Sequence, residues 1–277
     1  MAQFRCPVCG QSLTQGEKTF FCVNRHSYDR AKTGYVNLLR SQASGKKRHG
    51  DDKRMVAARS RFLEKGYYRC LLQAVTEEAL EVTGPHPVIL DAGCGECWYT
   101  DGLWQSFRAA GREPEVLGVD ISKDALAAGG KRNRALTLAV ASLFELPLAD
   151  RSCDLVVNLF APLALEEFRR VLKPGGTLLR GIPLERHLWG LKRAIYDTPY
   201  ENEVDAPELP GLTFVKQREI RTVLRLNGTQ EIADLFQMTP YYYKTGAADQ
   251  AKAAELTTLE TELEFAVRMY RREEKTG

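Results

Sequence analysis

The sequence predicts an α/β fold, with a mostly parallel, doubly wound sheet whose last strands turn antiparallel and a small cysteine-rich module in front of it. Three observations predict it. Short apolar strands alternate with helical segments between residues 87 and 183. The stretches LTFVKQREIRTVLRL and LETELEFAVRM alternate apolar with polar residues. CPVCGQSLTQGEKTFFCVNRH, at residues 6–26, gathers three cysteines and a histidine. A chain of 277 residues with 44% hydrophobic content can bury one large core plus an appendage. With no signal-like apolar segment at the start and no run long enough to cross a bilayer, we expect a cytoplasmic protein with no membrane partner.

The N-terminal module comes first. Cys6 and Cys9 lie two residues apart, twelve residues separate Cys9 from Cys22, and His26 follows after three more. Two ligand pairs, each on a tight turn, are what tetrahedral Zn²⁺ requires, so Cys6, Cys9, Cys22 and His26 are the expected metal ligands. Between them, two short strands around Gly16 would return the second pair to the first. A redox C-x-x-C would instead open a helix after a strand, and unrelated surface thiols would need no such spacing; zinc is the favoured reading. Residues 1–65 hold 14 Lys plus Arg against 5 Asp plus Glu, a net of +9 in a chain of net +3, which suggests a polyanionic partner or a solvated basic face. We therefore expect a zinc-ribbon-like domain over residues 1–45, a basic linker over 46–66 around SQASGKKRHGDD, and the sheet domain over 67–277.

HPVILDAGCGECWYT then reads as a buried strand, a tight glycine loop and a helix N-terminus, a cradle that lets backbone N–H groups approach a ligand. Gly93 and Gly95 are followed by Cys97 instead of a third glycine, which weakens a dinucleotide reading. EVLGVDIS supplies a second strand ending in Asp120, at the interval where an acidic residue bonds ribose hydroxyls. ALTLAVASLFELPLAD, SCDLVVNLFAP and RRVLKPGGTLLRGIP supply the third, fourth and fifth strands. Period two in the last two strands places Leu259, Leu263, Phe265, Val267 and Met269 on one face, as in half-buried antiparallel pairs. QEIADLFQMTPYYYK reads as a helix ending near Pro240.

D-x-G-C-G, the acidic end of strand two and L-K-P-G-G before strand five resemble the class I S-adenosylmethionine-dependent methyltransferases. That resemblance implies a Rossmann-like, seven-stranded sheet with an antiparallel C-terminal hairpin, and S-adenosylmethionine as cofactor. It implies that Gly93, Gly95 and Glu96 line the methionine end, with Asp91 in the same loop, that Asp120 holds the ribose, and that Ala141 to Leu143 flank the adenine, with Ser142 standing where many relatives have Asp. Over nearly the whole chain, CPVC, CVNRH, AKTGYVNLL at 31–39, GYY at 66–68, LDAGCGE at 90–96, RHL at 186–188 and QMTP at 237–240 resemble the RlmA/TlrB family. NRHSYD and FRRVLKPGG lean towards its TlrB-like branch. This resemblance implies a zinc-bearing RNA-recognition domain and methyl transfer to guanine N1 in a domain II hairpin of 23S rRNA, with consequences for macrolide resistance in some subfamilies. It also brings Tyr68 and His187 to the cofactor; without it, a packing aromatic and a helix-cap histidine would be the plainer readings.

Guanine N1 must lose its proton to become nucleophilic, and no residue in the sequence declares itself as the base. Asn158 and Phe160, in NLFAP at the end of strand four, could bond and stack the target base, although Phe160 also suits a core position. Cys153 suits a strand start better than a nucleophile. Arg5, Lys18, Arg25, Arg30, Lys32 and the KKRHGDDKR segment are candidate phosphate contacts. A small-molecule methyltransferase and a non-catalytic ribosome-binding protein remain rival readings, and the oligomeric state stays open between monomer and homodimer.

Overall fold

The computed structural model describes residues 4–40 and 50–273. Near the N-terminus, β1 (Thr14–Gln15), β2 (Thr19–Phe21) and β3 (Ser27–Asp29) form a three-stranded antiparallel sheet. Its first turn closes at Gly16, whose N–H donates to Thr19 O at 2.8 Å. After β4 (Val36–Asn37) and α1 (Lys53–Glu64) come α2 (Arg69–Val82), β5 (Val88–Ala92), α3 (Trp98–Ala109), β6 (Glu115–Asp120), α4 (Lys123–Arg132) and β7 (Thr137–Val140). The chain then crosses to β8 (Cys153–Leu159), α5 (Leu165–Val171), β9 (Leu172–Pro183), α6 (Trp189–Ile195), β10 (Leu212–Asn227), α7 (Thr229–Gln237), α8 (Tyr241–Lys244), α9 (Ala247–Glu255) and β11 (Thr258–Arg272).

The main sheet runs β10-β11-β9-β8-β5-β6-β7-β4. β5 pairs in parallel with both β6 and β8, while β11 lies antiparallel between β9 and β10. Chain order reverses direction between β5 and β8, and the crevice beyond their carboxyl ends is where open α/β sheets bind ligands. No described helix is long and apolar enough to cross a membrane.

Two features differ from the sequence reading. Among the described residues the sheet has eight strands, because β4 adds a parallel edge to β7 through Val36↔Ala139 and Asn37↔Val140. In addition, residues 53–64 of the expected linker are helical. Asp52 caps α1 by accepting from Met55 N at 2.9 Å, and Met55, Val56, Ala58, Phe62 and Leu63 are buried. The basic side chains that suggest a linker occupy the remaining faces of an amphipathic helix.

Both faces of a parallel sheet need cover. On one face Ile89, Val116, Leu155 and Val157 pack with side chains from α1, α2, α3, α4, α6 and α7. On the other, Leu90, Leu117, Ala139 and Val156 meet only α5 among the described helices, because residues 141–152 join β7 to β8 without one. Phe4, Leu13, Phe20, Cys6 and Cys22 fill that face instead. The module is fastened there by Arg5 N donating to Pro147 O at 2.8 Å, Leu38 N to Val140 O at 2.9 Å and Arg40 Nη1 pairing with Glu145 Oε1 at 3.0 Å.

Candidate functional site: a metal knuckle and a cofactor cradle

Each ligand pair of the module sits on a turn that ends in a left-handed residue, Gly10 (φ 71°) after the first and Arg25 (φ 63°) within the second. Gly10 N donates to Cys6 O at 2.8 Å and Arg25 N to Cys22 O at 3.0 Å, which folds each turn back on itself. The donor atoms of Cys6, Cys9, Cys22 and His26 consequently lie within 4.8 Å of one another. Sγ of Cys9 and Cys22 are 3.7 Å apart, and His26 Nδ1 lies 3.5 Å from Cys6 Sγ and 3.4 Å from Cys22 Sγ. A tetrahedron with Zn–S of about 2.3 Å and Zn–N of about 2.0–2.1 Å has S···S edges of about 3.8 Å and S···N edges of about 3.5 Å. The donor set therefore fits zinc in both chemistry and spacing. Burial pushes the Cys6 thiol up, but the Tyr28 hydroxyl at 3.0 Å and the amides of Cys9 and Val8 outweigh it and hold the group at about 6, which favours a thiolate ligand.

The cradle is built at the switch point. Gly93 (φ 90°) leaves β5, and a Cβ there would lie 2.3 Å from Ala161 Cβ, so only glycine lets the loop after β8 close on the loop after β5. Gly95 (φ 53°) donates its N–H to Asp120 Oδ2 at 2.9 Å, and Ser122 N donates to Asp120 Oδ1 at 2.7 Å. Asp120 is thus fixed at the end of β6, with its pKa raised by burial against those two amides. Asp91 is buried and accepts from Thr100 Oγ1 at 2.6 Å; burial raises it to about 7, opposed by that bond and reinforced by Asp120. Cys97 also has positive φ (64°), and its side chain points away from the cradle into α4, where a Cβ on Gly129 would come within 2.4 Å of its Sγ. The thiol is accommodated by a glycine on the facing helix, which leaves Gly93 and Gly95 free for close approach.

Tyr68 and His187 meet as buried neighbours, Oη to Nε2 at 3.3 Å. His187 Nδ1 accepts from Glu264 N at 3.3 Å, which leaves Nε2–H to donate to the tyrosine oxygen. Burial, with the charge of Lys192, lowers His187 to about 3, so the ring is neutral. Phe265 touches both, with centroids 5.0 Å from Tyr68 and 4.5 Å from His187, and Phe160 lies 5.7 Å further on. Phe160 has φ 55° and is 46% exposed, presenting its ring at the mouth. Asn158 is fully buried: its Nδ2 donates to Ala92 O at 2.9 Å and Pro162 O at 3.4 Å, tying the β5 and β8 ends together, and its Oδ1 is buried without a partner. Tyr99 Oη is likewise buried and unpartnered. Orphaned polar atoms beside a glycine cradle fit a polar ligand of S-adenosylmethionine's kind.

Two expected residues, Glu96 and Ser142, have their side chains engaged by protein partners, and Cys153 stands at the start of β8 as expected. Glu96 is buried with its carboxylate committed to Arg132 Nη2 at 2.8 Å. Ser142 Oγ accepts from Phe144 N at 3.2 Å, and the side chain lines a cleft of about 490 Å³ shared with Arg5, Pro7, Arg40 and Phe144. Cys153 is buried and pushed up to about 11 by desolvation, which argues against a nucleophile. Among the basic residues, Lys18, Arg25 and Lys32 are exposed, whereas Arg30 Nε is engaged by Gly34 O at 3.1 Å; Lys46, Lys47, Arg48 and His49 lie outside the described residues. Arg59 carries no motif in the sequence. It reaches from α1 to the loop, where a Cβ on Gly95 would be 3.7 Å from its Nη1. Its best signal in the sequence is the amphipathic spacing of α1 behind the Asp52 cap.

Residues 4–47 match the family model "RlmA, N-terminal", a zinc ribbon, and residues 90–179 match a methyltransferase domain. A Streptomyces fradiae protein named 23S rRNA (guanine(748)-N(1))-methyltransferase is 34% identical over 230 residues, 80% of each chain. YxjB of Bacillus subtilis (strain 168), provisionally named as a 23S rRNA (guanine-N1)-methyltransferase, is 30% identical over 274 residues, 92% of this chain and 94% of its own. The ubiquinone/menaquinone biosynthesis C-methyltransferase UbiE of Syntrophotalea carbinolica is 40% identical, but over only 122 residues, 40% of this chain. Zn²⁺ and S-adenosylmethionine are the cofactors these two domains carry.

Proposed function

Because the chain belongs to the RlmA family of 23S rRNA (guanine-N1)-methyltransferases, we propose that it methylates N1 of a guanine in a domain II hairpin of 23S rRNA. The observation that carries this reading is that similarity to an rRNA enzyme spans 92% of the chain and the metal module matches the RlmA N-terminal model, whereas similarity to a quinone methyltransferase covers only 40% of the chain. Bound S-adenosylmethionine supplies an electrophilic methyl on its sulfonium. The chain's part is to hold the donor, orient the base and manage one proton.

In this reading Gly93 and Gly95 let the backbone approach the donor, Asp120 receives the ribose hydroxyls, and Tyr68 and His187 wall the methyl-bearing end. The neutral imidazole suits that place, because a charged one would repel the sulfonium. Phe160 offers a stacking face to a guanine taken out of its helix. Asn158 braces the loop that presents Phe160. His187 has both nitrogens engaged, so it is not assigned as the base. Lys18, Arg25 and Lys32 supply phosphate contacts from the metal module.

Primer extension across domain II of 23S rRNA, from a deletion strain with and without the gene restored, tests the proposal. A stop should appear at a single guanine, with position 748 the first to inspect given the name of the Streptomyces relative. Identical patterns in both strains would remove the rRNA reading. The same strains, compared for macrolide susceptibility, test the resistance consequence.

A further inference from the structure

S-adenosylmethionine carries a carboxylate at its amino-acid end, and a carboxylate entering a buried site needs a cation. Acids surround the cradle: Asp51, Asp91, Glu96 and Asp120. These suit the donor's ammonium, sulfonium and ribose hydroxyls, but repel its carboxylate. Among the described residues two arginines reach the loop. Arg132 is committed on every side, with Nε to Glu96 O, Nη2 to Glu96 Oε2 and Nη1 to Glu64. Arg59 bonds Asp51 through Nη1 and Met238 O through Nη2 at 3.2 Å, two contacts against five N–H donors.

We propose that Arg59 is the docking cation for the α-carboxylate of the methyl donor, a role that rests on the donor occupying this cradle. Arg59 stands beside Gly95, facing the side where a side chain would have been, so the glycine opens a path between ligand and guanidinium. Its field reaches Tyr68, Tyr99, Glu96 and Asp120, the groups that ring the cradle. α1 is held over the cradle by Ser122 Oγ donating to Asp51 O at 2.7 Å and by Arg61 gripping Asp234 of α7 at 2.6 Å. Arg59 is therefore presented by a fixed helix, not by a free side chain at the end of a linker. Asp51 keeps the guanidinium oriented and partly neutralised until a ligand carboxylate joins it.

Two ligands separate this role from simple closure of α1 over the site. S-adenosylhomocysteine has the carboxylate; 5′-methylthioadenosine has the same nucleoside and thioether but lacks the amino-acid end. Calorimetric titration of the zinc-loaded full chain with Arg59→Ala should show binding of S-adenosylhomocysteine weakened roughly tenfold or more, with 5′-methylthioadenosine changed by less than about twofold. Equal weakening of both ligands, or of neither, overturns the inference. Should Arg59→Ala melt well below the wild type, Arg59→Gln, which keeps a polar head for Asp51 and Met238, decides by the same ratio. Failure of the wild type to bind either ligand would instead strike the cofactor reading itself.

Discussion

Removing the metal should destabilise the catalytic sheet along with the module. Phe4, Leu13 and Phe20 are all but fully buried, and they pack on a sheet face where α5 is the one described helix in the same core cluster. Burying a side chain of this size contributes about 1.5–3 kcal/mol, so the three together contribute about 4.5–9 kcal/mol, an upper bound because the unfolded chain is not fully extended. Whole-domain stability is about 5–15 kcal/mol, so chelation removes a large share of it. At about 2–4 °C per kcal/mol for a chain of this size, the melting midpoint should fall by roughly 10 °C or more. Differential scanning calorimetry of zinc-loaded protein, chelated protein and Cys9→Ser should show a single transition that moves, together with weaker S-adenosylhomocysteine binding. Two transitions, the larger one unmoved and the ligand affinity intact, would refute the shared-core argument and restore the picture of separable domains.

Other outcomes follow from the cradle. Asp91 is raised to about 7 from 3.8, so it holds a proton in the free protein near pH 6.5 that a cationic ligand should expel. Titrating S-adenosylmethionine in buffers of differing ionisation enthalpy should show proton release at pH 6.5, fading above about pH 8 and absent in Asp91→Asn; pH-independent proton uptake would contradict it. The sign for stability is the reverse of a salt-bridged acid: the folded pKa lies above the unfolded one, so this contribution declines as pH rises from about 4 to 7. Gly129→Ala should destabilise the chain by about 1–3 kcal/mol by pressing on Cys97, and Cys97→Gly should recover most of it. Denaturant titrations giving the same cost in both backgrounds would mean the two residues do not compete for one space.

Features written locally in the chain are the ones its sequence discloses. The ligand spacing of Cys6, Cys9, Cys22 and His26, the glycines at 93 and 95 and the acid closing β6 are each fixed by short-range backbone geometry, which gathers the four donor atoms and sets the Asp120 carboxylate against the Gly95 amide. Features that depend on distant partners are hidden. β4 is two residues long, and nothing in Val36–Asn37 distinguishes a strand from a loop until β7 lies beside it. α1 is masked by its charges, and Arg59 faces Gly95, a residue that local pattern gives no reason to pair with it. The fully buried setting of Asn158 is equally invisible, since an Asn at a strand end is as readily exposed as internal.

The metal module divides its residues between two duties, and that division can be tested. Its inward side chains are core; outward, Val8 is 67% and Val23 81% exposed at the tips of the two ligand turns, with exposed Lys18, Arg25 and Lys32 on the same module. If the outward set meets RNA, its contribution is electrostatic and separable from folding. The triple variant Lys18→Ala, Arg25→Ala, Lys32→Ala should melt within about 2 °C of the wild type, because exposed charges carry little stability. Removing one cation from a phosphate should make the slope of log K against log salt shallower by about 0.7 to 0.9, so a change of roughly two is expected for binding to a 23S hairpin transcript. Zinc removal would weaken RNA and S-adenosylhomocysteine binding together through the loss of stability, whereas the triple variant would weaken RNA binding alone, with the fold and S-adenosylhomocysteine affinity intact. A slope unchanged by the triple variant would assign these charges to solubility and move the RNA interface elsewhere on the molecule.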